Sequence, residues 1–183
     1  MDAIELLLER QSDARLIAPG PNAEQLAIIQ QAALKAPDHG ALAPWRFIVV
    51  EGEGLTRLGE LFYQAAVKEG QDERTLSRAK ELPLRAPMVI IAIAKTQPEH
   101  SKVPVLEQIE SAACATMAMQ QAAFAQGLGA IWRTGHFAVS PTVKAALKAH
   151  EHDEIVGYLY IGTPELTVKK TARRDPNAFF ENF

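Results

Sequence analysis

The chain has one cysteine, Cys114, in 183 residues. No intrachain disulfide can form, so the fold rests on packing, as expected of a protein kept in a reducing compartment. Aromatic residues are sparse, at 7%. Charge of either sign is nearly balanced, with 19 Lys and Arg against 22 Asp and Glu, a net of -3. That balance excludes broad neutralisation of a nucleic-acid backbone as the main activity and leaves room for a local anion site. There is no long apolar run either. The stretch from Ser111 to Phe124 is rich in small apolar residues, but it contains Gln120 and Gln121 and follows Glu107 and Glu110. A bilayer span needs about 20 mostly apolar residues, so this stretch reads as a buried helix. The chain opens Met1-Asp2-Ala3-Ile4-Glu5, acidic where a secretory leader is basic. These absences predict a cytoplasmic protein without a membrane partner.

Several chemistries lack their motifs. There is no Gly-x-Ser-x-Gly elbow and no phosphate-binding P-loop. His100, His136, His150 and His152 have no cysteine or carboxylate at metal-ligand spacing, so no metal site is expected, and His150-Glu151-His152 reads as an exposed turn. Gly127-Leu128-Gly129 is not a dinucleotide fingerprint. That motif follows a strand and opens a helix, whereas here the glycines end a helix and open a strand. Cys114, set among alanines, reads as an inert buried thiol.

What is present suits one domain over residues 1–183, with 48% hydrophobic residues to build its core. Ile4, Leu7 and Leu8 recur at helical spacing. Asn22 and Gln25 form a capping-box pattern before a helix that stops at Pro37. Phe47–Val50 and Ile155–Ile161 read as strands, and Met88–Ala94 as a central strand covered on both faces. Helices are expected from about Leu55 to Glu69, from Pro104 to about Gln126, and from Ser140-Pro141 to about Lys148. Residues 70–82 read as a solvated, mobile segment with helical character. Alternating helices and strands give an α+β or α/β sandwich.

The segments that carry chemistry are Arg10-Gln11-Ser12-Asp13-Ala14-Arg15, the loop Ala36-Pro37-Asp38-His39, and Pro44-Trp45-Arg46-Phe47. Two guanidiniums and a hydroxyl are what a phosphate needs, namely fixed, forked donors. Arginines at a helix end also suit the helix dipole without any ligand, and Trp45 beside a strand suits a core anchor.

An Arg-x-Ser-x-x-Arg segment followed by an Ala-Pro loop with a Pro-Trp-Arg-Phe exit resembles the nitroreductase family of FMN-dependent oxidoreductases, in its small single-domain, YdjA-like branch. The resemblance implies an α+β fold with a mixed β-sheet flanked by helices, built as an intertwined homodimer with a C-terminal arm from about residue 163. It implies FMN contacts from Arg10, Gln11 and Ser12, from Lys35 and His39, and from Trp132, Arg133 and Thr134. It also implies a nicotinamide contact along Ala122, Ala123, Phe124, Ala125, Gln126 and Gly127, whose other reading is the end of a packed helix. Arg173 or Arg174, in the cluster with Lys169 and Lys170, matches basic residues that many members place on the FMN phosphate. Gln11 stands where most members have a second arginine. Ala41 and Ala43 stand where most carry Asn and Gln, so backbone groups or His39 must take over. The implied function is an NAD(P)H oxidoreductase that passes hydride through flavin N5 to a nitroaromatic, a quinone or a related acceptor, with no catalytic side chain required. A non-catalytic FMN-binding or storage protein, and a cofactor-free structural protein, stay open.

Overall fold

The computed structural model of the chain describes residues 1–166 and 174–183. Five strands form one sheet. β5 (Glu154–Pro164) lies at its centre. One edge of β5 pairs with β3 (Met88–Ala94), which pairs in turn with β2 (Trp45–Glu51). The other edge carries β4 (Gly129–Arg133) and the short β1 (Leu16–Ile17). Every one of these pairings is antiparallel. The class is the expected α+β, but the chain supplies no parallel pair among its described residues, so its own sheet is antiparallel rather than mixed.

The sheet separates two cores. β3 is buried along its whole length, and alternate residues serve opposite faces. Val89 and Ile91 pack against α3 (Glu53–Lys68), α4 (Glu73–Ala79), α6 (His136–Val139) and α7 (Pro141–Ala146), where Phe62 stacks on Phe137 at 4.3 Å. Met88 and Ile90 pack against α2 (Ala23–Ala33) and α5 (Val105–Ala125), alongside Ile29, Met119 and Leu159. α1 (Ala3–Glu9) lies on α5.

Local chemistry sets the helix ends. The capping box at Asn22 forms in both directions, at 3.0 and 2.9 Å. Ser140 caps α7. α5 ends in a Schellman motif: Leu128 N–H reaches the Ala123 carbonyl, Gly127 N–H reaches that of Phe124, and Gly127 takes φ 78°.

Some expectations need correction. Residues 70–82 are not simply solvated, because α4 buries Ala79 and the following turn buries Pro83. β2 and β5 run longer than their apolar cores, since ladder bonds continue into Trp45, Glu51, Glu154 and Pro164. α7 stops at Ala146, because Lys148 takes a positive φ of 55°. Pro104 stands just outside α5 as its N-cap. Cys114 is exposed, not buried, on a stripe of α5 with Leu106 and Met117.

Candidate functional site

The segment after α1 is tied to the free edge of β4. The Asp13 N–H donates to the Ala130 carbonyl at 3.0 Å. Gln120 of α5 clamps the same place, its amide donating to that carbonyl at 3.2 Å and to Ser12 Oγ at 3.3 Å. Gln11 donates to Asp13 at 3.2 Å. Arg10 is the C-cap residue of α1 and is half-buried. Arg15 instead points at Glu165, 3.8 Å away on the surface. Arg10, Gln11 and Ser12 therefore lie beside the strand that ends in Trp132 and Arg133, with Thr134 next in the chain. Two residues along β4 separate Ala130 from Trp132, about 7 Å.

Trp132 is fixed from beneath. Its indole N–H donates to the Val156 carbonyl at 3.1 Å, and its ring covers Gly157, where an added Cβ would sit 2.1 Å from Nε1. Arg133 lines a cleft of about 410 Å³ with Arg85, Tyr158 and Tyr160, and Trp132 and Thr134 line the same cleft. Burial pushes the Tyr160 hydroxyl up, and the charges of Arg85 and Arg133 partly offset it.

The Ala36–Trp45 loop lies elsewhere in the chain. His39 Nδ1 is 2.6 Å from Glu107 Oε2, in the first turn of α5. Ser111 Oγ donates to the Pro37 carbonyl at 2.7 Å. Ala41 and Ala43, the positions that depart from the wider family, both take positive φ, 53° and 47°. Such a conformation costs a non-glycine residue about 1–2 kcal/mol. Asp38 holds it: one carboxylate oxygen accepts from Leu42 N–H at 3.1 Å, and the other from Ala43 N–H at 2.7 Å. Lys35 is exposed in the turn after α2, and among the described residues it has no ion-pair partner.

The structure thus brings together two of the predicted groups and separates a third. Arg10–Ser12 and Trp132–Thr134 share the edge of β4. His39 sits on Glu107, thirteen residues along α5 from Gln120, which at 1.5 Å per residue is about 20 Å, and Lys35 stands in the turn after α2. The 122–127 segment is the end of α5. Ala123 is fully buried, Ala122 packs on the core, and Gln126 donates to the Gln25 and Ala122 carbonyls. Phe124 and Gly127 do line a cleft of about 260 Å³ that Gln11 and Asp13 also line. Lys169, Lys170 and Arg173 lie outside the described residues, and Arg174 stacks over Phe179 at 5.9 Å.

Sequence reasoning passed over Asp38, Glu107, Gln120 and Arg85. Asp38 carried a local signal, a turn-forming carboxylate after proline. The others reach their partners only through the tertiary fold. No group of three or more His, Cys, Asp and Glu that could hold a metal occurs among the described residues, and no helix among them is long and apolar enough to cross a membrane.

The nitroreductase family model matches residues 9–163. YdjA of Escherichia coli, named as an NAD(P)H nitroreductase, is 46% identical over 184 residues, covering 100% of both chains. Among solved structures, a nitroreductase-like protein from Bacillus cereus superposes with a TM-score of 0.86 at 22% identity, over 100% of this chain and 96% of the other. An FMN-dependent nitroreductase from Clostridium difficile gives a TM-score of 0.68 at 25% identity, over 98% of this chain and 99% of the other. The chain belongs to the nitroreductase family.

Proposed function

We propose that the chain is an FMN-dependent NAD(P)H oxidoreductase whose flavin site is completed by a second copy of the chain. The observation that carries this reading is the edge of β4. There a guanidinium and a hydroxyl from Arg10 and Ser12 lie beside Trp132-Arg133-Thr134, held by the bonds of Asp13 and Gln120 to Ala130. The donor set fits a phosphate ester next to an aromatic, strand-bound surface. FMN, when bound, supplies the hydride chemistry, accepting from a nicotinamide and delivering to a nitroaromatic, quinone or related acceptor. The names of YdjA and of the Clostridium difficile protein support that cofactor pair.

In this reading Arg10 and Ser12 bind the phosphate. Gln11 and the 122–127 segment line the adjoining cleft for the nicotinamide. Trp132, clamped by Val156 and Gly157, sets one wall. His39 lies about 20 Å along α5 from Ser12, too far to share one flavin with the Arg10–Ser12 of its own chain. A two-fold partner whose α5 runs across this one brings its Lys35 and His39 to the other end. There the Lys35 ammonium favours the anionic reduced ring.

The uncovered apolar surface supports the same assembly. Leu106 and Met117 on α5, and Ile4, Leu7 and Leu8 on α1, are 46–68% exposed, which a stable monomer rarely tolerates as one patch. The aromatic tail from Phe179 to Phe183 is exposed too and suits an arm that crosses to the partner. Sedimentation at micromolar concentration tests this, with a dimer holding two FMN as the expected result. A folded monomer that retains FMN contradicts it.

A further inference from the structure

α5 grips the loop between α2 and β2 at two points, one helical turn apart. Ser111 Oγ donates to the Pro37 carbonyl at 2.7 Å, and Glu107 Oε2 lies 2.6 Å from His39 Nδ1. Residues four apart share one face of a helix, so both contacts come from the same side of α5. Gly40 closes the grip. It takes φ 76°, and an added Cβ would stand 3.2 Å from the Val103 side chain, just before α5. The imidazole is thus anchored to a 21-residue helix.

That anchor decides the chemistry of the ring. A carboxylate can only accept, so in the neutral imidazole the hydrogen sits on Nδ1 and Nε2 keeps its lone pair. The rest of the loop is occupied with itself. The N–H groups of Ala41, Leu42, Ala43 and Trp45 go to the Asp38 carbonyl, the Asp38 carboxylate and the Ala43 carbonyl. Between Pro37 and Pro44 the polar side chains are those of Asp38 and His39. Both Asp38 oxygens hold the loop. Ala41 and Ala43 offer only methyl groups, where an amide side chain would donate and accept. What this stretch presents to a ligand is therefore His39 Nε2, as an acceptor. An acceptor recognises a donor, and the oxidised isoalloxazine ring has one N–H, at N3.

We propose that Glu107 is a positioning residue, which fixes the His39 tautomer so that Nε2 accepts the N3–H of the flavin. The inference rests on the FMN reading above, in which each flavin takes His39 from one chain and Arg10 and Ser12 from the other. It gives His39 and Glu107 the contact that Ala41 and Ala43 cannot make.

The test compares FMN with N3-methyl FMN, which lacks that hydrogen, by fluorescence titration of the flavin-stripped protein at pH 8, where imidazole is neutral. The parent is expected to bind FMN at least tenfold more tightly, because the methyl removes a hydrogen bond and leaves the acceptor unpaired. Glu107→Ala releases Nδ1 and loses most of that ratio. Glu107→Gln keeps it, because the amide oxygen still accepts from Nδ1. The Glu107 side chain lies at the surface, so both variants keep the fold, which circular dichroism verifies. Nitrogen-15 NMR of the histidine rings reads the tautomer itself, with His39→Asn to assign the signal. The hydrogen is expected on Nδ1 in the parent and in Glu107→Gln, and shifted towards Nε2 in Glu107→Ala. Equal binding of the two flavins by the parent, or a ratio that survives Glu107→Ala, overturns the inference while FMN binding itself stands. A parent His39 with its hydrogen on Nε2 overturns the role of Glu107. A protein that takes up neither flavin overturns the FMN reading, and this contact falls with it.

Discussion

His39 Nδ1 lies 2.6 Å from Glu107 Oε2, a contact that joins the strained loop between α2 and β2 to the first turn of α5. It leaves Nε2 of the imidazole for a ligand, and Lys35 stands four residues before His39, at the start of the same loop. The two substitutions in this region should therefore move the flavin potential in opposite directions. Lys35→Met removes a cation and lowers the potential; Glu107→Gln removes an anion and raises it. For exposed groups each shift is on the order of 10–20 mV in a two-electron couple. Equilibrium titration against a reference dye measures both. A potential unmoved by Lys35→Met takes Lys35 away from the ring.

Arg10→Ala should weaken FMN binding by about 1.5–3 kcal/mol, the range for a hydrogen bond to a charged group. The side chain follows the last turn of α1, so its loss leaves the core intact. Fluorescence titration of FMN into the stripped protein gives the affinity. An unchanged constant removes Arg10 from the phosphate site.

Much of this was legible in the chain. Asn22 and Gln25 announced a capping box that forms as written, Met88–Ala94 announced a strand covered on both faces, and Gly127 announced a helix end. Each of these signals is local, or is a run whose composition reports its burial. The partners of the site residues were not legible. Glu107 is 68 residues from His39, and Gln120 is 108 from Ser12, so only the packed helix brings them together. Cys114 misled because alanine neighbours resemble a core. On α5 the same small residues also cover a face that the single chain leaves open. The antiparallel sheet was hidden because strand direction follows from connections rather than from apolar runs.

Gly157→Ala should unseat Trp132. The new methyl would meet Nε1 at 2.1 Å and Cδ1 at 2.6 Å. Either the indole gives up its bond to Val156 or the strand bends at the adjacent bulge between Ala92 and Ile93. Overpacking of this kind costs about 1–3 kcal/mol. A lower melting temperature and a red-shifted tryptophan emission are expected; an unchanged emission means that the indole is not held there.

Glu69 links α3 to the β4–α7 region. It accepts from Ser140 Oγ at 2.6 Å and from Thr142 N–H at 3.1 Å, and its other oxygen lies 2.8 Å from His136 Nε2, off hydrogen-bond alignment. Burial pushes its carboxyl up, but these hydrogen bonds and the His136 charge outweigh it and hold the group below its ordinary value. A depressed folded value means that the stabilisation is complete above the unfolded carboxylate range and is lost as pH falls through the folded one. The melting-temperature gap between the parent and Glu69→Gln should therefore narrow from about pH 6 to about pH 3. A gap that widens on acidification contradicts the assignment.

The central claim is that this chain holds FMN and passes electrons through it. The most direct measurement is the visible spectrum of the purified protein under anaerobic conditions, recorded before and after NADH or NADPH and again after a nitroaromatic or quinone. The account predicts a bound-flavin spectrum that bleaches with at least one nicotinamide and returns with the acceptor. A bound flavin that neither nicotinamide reduces at millimolar concentration favours the storage reading, and a colourless protein that binds no added FMN contradicts the account.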